Sequence, residues 1–296
     1  MESAMMEIRC SNTSIEVYFL PIGEQIEQSM KPVDFFDQHP VFRYEEFVAA
    51  HAGSGRRSVQ TSASILKQHV SAGHLLHVRR GLYVVVSRGV APENAPIDPY
   101  LLASKSADDA AVAYHAALQF HGKAYSVWHR FHYLTRRRLR AFSFRGQEFV
   151  PVQAPATVRV LRDVGGGIQE QPHAGGRVRV TTLERTLVDV LDAPHRCGGW
   201  EEVWRSLEMV EFFDLDAVHE YVTQLGSALT VARVGWFLEQ HREPLMVDDR
   251  HLTTLRALAP SQPRYLDATR APGKLVAGWN LIVPESVLHR AWAEGR

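Results

Sequence analysis

The chain has 296 residues and a mass of 33.4 kDa, a length that ordinary domain sizes divide into about two domains. An apolar content of 45% with 22% charged residues belongs to a globular chain that buries a core, not to a disordered one. An unbroken apolar run such as Leu82 to Val86 is far too short to span a bilayer, and Met1 to Leu20 has no basic stretch leading into an apolar one. Neither membrane insertion nor secretion is expected. Two distant cysteines, Cys10 and Cys197, exclude a disulfide framework and a cysteine-based zinc site, and point to the cytoplasm.

Basic and acidic residues balance at 33 each, but not locally. His39 to Val90 holds seven basic residues against Glu45 and Glu46, and Lys123 to Arg145 holds seven with no acid. Glu184 to Asp249 reverses the sign, with fourteen acids against five arginines. Such a gradient is the footprint of one region that faces a polyanion and another that faces something else.

In chain order, Met1 to Met30 is an N-terminal extension with a strand-like IEVYFLP, and Met5, Met6 and Met30 are alternative starts. Pro32 to Gln38 and Tyr44 to His51 have short helical patterns, followed by a turn rich in Gly and Ser. Arg57 to Gly73 reads as a helix, with Ser58 as N-cap and Gly73 as the stop. At 100° per residue, Val59, Ala63, Leu66 and Val70 fall within about 60° of one another as the buried stripe. Arg56, Arg57 and Ser58 lead into the opposite arc of Gln60, Thr61, Ser64, Lys67, Gln68 and Ser71, which carries no carboxylate. Amide, hydroxyl and ammonium groups hydrogen-bond base edges and phosphates, whereas a carboxylate repels them.

Leu75 to Val86 then reads as two strands joined by an Arg79-Arg80-Gly81 loop, with glycine where a hairpin turn needs the left-handed conformation. A helix, a turn, a second helix and a hairpin with a basic tip make a winged helix-turn-helix: the helix enters the major groove and the wing grips adjacent backbone. Gly89 to Pro99, with three prolines and no apolar periodicity, reads as a linker. The division is residues 31–88 for the winged module, 89–98 for the linker and 99–296 for a larger mixed α+β C-terminal domain.

In that larger part, helices are expected at Tyr100 to Ala107 and Ala111 to Gly122, then strands near Phe131 to Thr135, Arg140 to Phe144, Glu148 to Val152 and Val178 to Val180. Thr181-Thr182-Leu183-Glu184 has capping-box spacing before the apolar run LERTLVDVLD. Three or four helices follow from Gly199 to Leu258, and WNLIV closes as a strand. The fold class is α+β, without a Rossmann or P-loop glycine pattern. Arg136, Arg137, Arg138 and Arg140 lie among Trp128, Phe131, Tyr133, Phe142 and Phe144, which suits either contact with a nucleic-acid backbone or a solvated strand end over core aromatics.

Enzymatic chemistry has few footholds. His115 and His121, six apart on a helical pattern, share no face and make a poor metal pair. Asp214-Leu215-Asp216 has carboxylate-pair spacing but reads as the start of the helix bearing Val218 and Tyr221. No nucleophile and base stand out, so no catalytic residue, metal or cofactor is expected. The acidic, aromatic stretch EEVWRSLEMVEFFDLD fits a protein-docking surface or simply helices with a solvated acidic back.

Beyond these elements, the blocks RYEEFVAAH, VRRGLYVVV, IDPYLLASK, AYHAALQFHGKAYSVWHRFHYLT, RAFSFRGQEFVPV, VTTLERTLVDVLD, GGWEEVWRSLEMVEFFDLDAV, VGWFLEQHRE and WNLIVPESVL together resemble the AbiEi family of antitoxin regulators in type IV toxin–antitoxin systems. The resemblance runs from about Pro40 to Leu288. It implies an N-terminal winged helix that binds inverted repeats of double-stranded DNA in its own promoter, and a C-terminal domain needed for antitoxicity against a nucleotidyltransferase-like toxin. Arg43 departs from the pattern, since members commonly carry Thr there as a helix N-cap. The competing reading is a nucleic-acid-processing enzyme that uses the winged helix for targeting.

Overall fold

The computed structural model describes residues 30–51, 59–155 and 166–293. The chain is α+β. None of its described helices is long and apolar enough to cross a membrane. The extension before Met30, together with Arg56, Arg57 and Ser58, lies outside the described residues.

The first module runs α1 (Pro32–Gln38), β1 (Val41–Arg43), α2 (Tyr44–His51), α3 (Val59–Ser71), β2 (Leu75–Arg79) and β3 (Leu82–Val85). Pro32 opens α1 where its missing N–H costs nothing. At the start of α2 the Arg43 N–H donates to the Glu46 carboxylate at 2.7 Å, half of a capping box. Three strands pair antiparallel in the order β1-β3-β2. Strand β1 was not expected from sequence, because three residues carry too little alternation to read.

Phe35, Phe36, Phe42 and Phe47 pack edge-to-face and stacked, with ring centroids 5.1–6.1 Å apart, around Leu66 and Leu75. Each ring buried contributes about 2–3 kcal/mol. This cluster joins the three helices to one face of the small sheet, through Phe42, Tyr83 and Val85. The other face, with Val41, Leu82 and Val84, belongs to a second core shared with Leu101, Phe131 and Phe149 of the larger lobe. A sheet covered on both faces explains the unbroken LYVVV run, since alternation marks a strand only where one face meets water.

The segment between the modules is a packed strap and not a loose tether. Ala95 is buried, and the Arg145 guanidinium donates to the carbonyls of Ala95 (2.6 Å) and Pro92. Asp98 caps the next helix, α4 (Pro99–Ser104), and its second oxygen meets His173 at 2.8 Å. Lys105 pairs with Glu46 of α2.

In the larger lobe, β4 (Ala111–Val112), β5 (Arg130–Thr135), β6 (Phe142–Phe144), β7 (Gln147–Gln153), β8 (Ile168–His173) and β9 (Gly176–Thr181) form a mixed sheet ordered β6-β7-β5-β4-β9-β8. The expected helix Ala111 to Gly122 is corrected: its first two residues are strand β4, and α5 (His115–Phe120) begins only after Tyr114, at φ +57°. Ala111 and Val112 sit in an interior strand and are buried on the two faces of the sheet.

Helices α6 (Leu183–Asp192), α7 (Trp200–Leu207), α8 (Leu215–Leu225), α9 (Ala228–Gln240) and α10 (Asp249–Leu258) build the largest core, reaching the sheet through Leu134 and Val152. Thr182, one residue later than the capping-box reading, caps α6 by accepting from the Arg185 N–H. Asp214 caps α8, as its spacing suggested. A second small sheet, β10 (Arg264–Tyr265), β11 (Gly273–Val276) and β12 (Leu281–Pro284), closes the lobe before α11 (Glu285–Leu288).

Candidate nucleic-acid interface

Helix α3 buries Leu66 and Ser62, and half-buries Ile65, His69 and Val70. The stripe is therefore turned from the expected one: Ala63 is exposed, and Ser62 takes its place against the aromatic cluster. The polar arc survives this rotation. Thr61, Ser64, Lys67, Gln68 and Ser71 are exposed, joined by Ala63 at the margin, while Gln60 lies on the helix backbone. Because α3 packs on the sheet face opposite the larger lobe, this arc is directed away from that lobe. Lys67 makes no ion pair with the described residues.

The β2–β3 hairpin departs from the sequence reading at one residue. Arg79 is the last residue of β2 and pairs with Leu82, leaving a two-residue turn of Arg80 and Gly81. Gly81 has φ +75°, and its carbonyl accepts from the Tyr44 N–H at 2.8 Å, fastening the turn to α2. Arg79 is not a tip residue: its guanidinium lies 4.8 Å over the Phe142 ring, with Nη1 buried and unpartnered. It reaches the Tyr133 phenol as well, which burial pushes up against the pull of that cation. A register irregularity between His77 and Arg79 sets Arg79 opposite Leu82, on the lobe face of the sheet, whereas Arg80 stands in the turn and is exposed.

The arginines after β5 are also divided. Arg136 donates to Asp109 through its N–H (2.7 Å) and guanidinium (3.3 Å), and Arg137 meets Asp108 at 2.7 Å. Burial opposes ionisation of Asp109, yet bonds from Thr135 and Arg136 hold its carboxyl below the usual range. Arg138 and Arg140 are exposed and form no ion pair with the described residues. Thus the acid-free sequence of Lys123 to Arg145 is not acid-free in space, because Asp108 and Asp109 precede β4 and fold back onto it. Arg130, similarly, pairs with Glu148 at 2.6 Å.

Arg79 over Phe142 places the hairpin beside β6, whose first residue follows Arg140 by two. Arg80, Arg138 and Arg140 are exposed, and no ion pair with the described residues compensates them. Charge this exposed attracts a phosphate backbone without fixing base identity.

Other polar clusters serve the core. His115 donates from Nε2 to the Glu202 carboxylate (2.9 Å) and stacks on Trp128, whereas His121 donates from Nε2 to the Thr181 carbonyl (2.8 Å). The two histidines share no ligand position, and burial lowers the basicity of both. Among the described residues no three His, Cys, Asp or Glu side chains converge to hold a metal. Sequence reasoning missed a buried network in which Asp189 accepts from Arg185 (3.3 Å) and from the Tyr221 hydroxyl (2.8 Å). Its signal was Arg185 and Asp189, four apart on an otherwise apolar helix face. An open groove of about 550 Å³ beside Leu229 and Pro260 is mainly apolar.

No family profile matches the chain, and none of the curated proteins does. Among solved structures, the crystal structure of the RV2827C protein from Mycobacterium tuberculosis is similar in fold. It has a TM-score of 0.57 at 16% identity, over 89% of this chain and 93% of that one. The chain therefore shares its α+β architecture with that protein across nearly the whole length of both.

Proposed function

We propose that the chain is a cytoplasmic DNA-binding autorepressor and antitoxin, in which residues 31–88 act as a winged helix on inverted repeats of its own promoter. The observation that carries this reading is the exposed, carboxylate-free face of α3, placed in a module whose hairpin ends in the free cation Arg80. Gln68 and Ser64 have the chemistry to read base edges, and Lys67 and Arg80 to hold phosphates. Arg138 and Arg140 extend the phosphate-binding surface from the lobe. Counteraction of a nucleotidyltransferase-like toxin is assigned to the lobe by resemblance alone.

Anisotropy of a labelled duplex from the upstream region, against a scrambled duplex of equal length, tests the DNA reading. The repeat should bind more tightly; Gln68→Ala should narrow that gap, and Lys67→Ala should weaken both duplexes alike. Equal binding of the two duplexes by the unaltered protein overturns the operator reading. Co-expression with the neighbouring gene tests the antitoxin role: growth arrest that the full chain fails to relieve refutes it.

A further inference from the structure

We propose that His69 and His74 form a two-imidazole site for a zinc-type divalent metal ion at the C-terminal end of α3. The site is encoded locally. Gly73, at φ +74°, ends the helix: its N–H donates to the Val70 carbonyl (3.1 Å), and the His74 N–H reaches back to the His69 carbonyl (2.9 Å). This pair of bonds is a Schellman motif, which brings the side chains on either side of the glycine together. That contact is ordinarily apolar. Here it joins two imidazoles, with Nδ1 to Nδ1 at 3.3 Å and ring centroids 5.5 Å apart.

Zinc bonds imidazole nitrogen at about 2.0–2.1 Å, so two ligands at a tetrahedral angle stand about 3.3–3.4 Å apart. The turn brings the two rings within reach of one another, and their Nδ1 atoms already stand at about that separation. Without metal, one Nδ1–H donates to the other ring. Rotation of both rings about Cβ–Cγ turns the two lone pairs onto a shared point, and the proton between them moves to the outer Nε2. Both rings stay neutral, and nothing is oxidised or reduced. The unpaired carbonyls of a helix C-terminus favour a cation there. Phe36 holds the His69 ring edge-on at 4.9 Å. With no third such ligand converging among the described residues, water fills the remaining positions. The ion binds reversibly and clamps the last turn of α3 to the start of β2.

Calorimetric titration of the tag-free full chain with zinc chloride tests this without DNA, so its outcome is separate from that of the operator reading. A single saturable Zn²⁺ site is expected. His69→Gln and His74→Gln should each weaken it about tenfold or more, since loss of a ligand costs at least as much as loss of an outer-shell partner. His77→Gln, in the same module, should leave it unchanged. Zinc should raise the Tm of the unaltered chain but not of His74→Gln, an exposed position whose metal-free Tm should match the parent. No saturable binding, binding that survives His74→Gln, or equal loss in His77→Gln overturns the proposal.

Discussion

Arg79 and Arg80 are adjacent in sequence, and the structure gives them opposite duties, so alanine at each should produce different losses. If Lys67, Arg80, Arg138 and Arg140 each neutralise one phosphate, log affinity should fall with log salt at a slope of about −3.6, from about −0.9 per phosphate. A fourfold rise in salt then weakens the unaltered chain about 150-fold and Arg80→Ala about 40-fold. Arg79→Ala should leave the slope alone and lower stability instead. Its guanidinium over Phe142 contributes about 0.5–2 kcal/mol, offset in part by the unpartnered buried Nη1 that the substitution also removes. The expected fall in Tm is therefore a few degrees, at about 2–4 °C per kcal/mol. Anisotropy across a salt series, with a thermal melt of each variant, measures both quantities. A shallower slope for Arg79→Ala at unchanged Tm would refute the placement of its side chain against the lobe.

Asp108→Asn frees Arg137 from its 2.7 Å ion pair, so the variant should bind duplex DNA more tightly with a slope steeper by about 0.9; equal slopes would show that the loop stays off the DNA. His132 is buried, and burial, then Arg196 and Arg130, lower its pKa to about 4. The unfolded chain takes up this proton first, so the neutral ring's stabilisation is whole above about pH 6.5 and is lost as pH falls to about 4, by up to about 1.4 kcal/mol per pH unit. Urea unfolding of His132→Gln across that window should show a flatter pH dependence than the parent. Gly73→Ala meets two penalties, the left-handed φ and a Cβ 2.9 Å from Pro92 Cγ; a loss of about 1–2 kcal/mol is expected in chemical denaturation, and a neutral result would refute the left-handed turn at this position.

Much of the first module was legible because its signals are local. Helix periodicity, the proline opening α1, the glycine closing α3 and the glycine of the hairpin turn each act within one turn of chain, and α1 and α2 fall where their patterns lie. The charge on α3 was equally readable, since a helix face lacking carboxylate in sequence lacks it in space unless another element brings one. What failed did so for long-range reasons. The α3 stripe rotated toward Ser62 because the aromatic cluster, not the helix's own apolar moment, chose the packing face. Strand β4 was taken for helix because small residues suit either state until neighbouring strands claim them. Arg79 left the hairpin tip, and two of the four arginines from Arg136 to Arg140 were paired, once the lobe offered Phe142, Asp108 and Asp109. The sequence by itself determined which groups exist and in what local order. Only the tertiary structure decided which of them still face water, because burial and charge pairing depend on segments far apart along the chain.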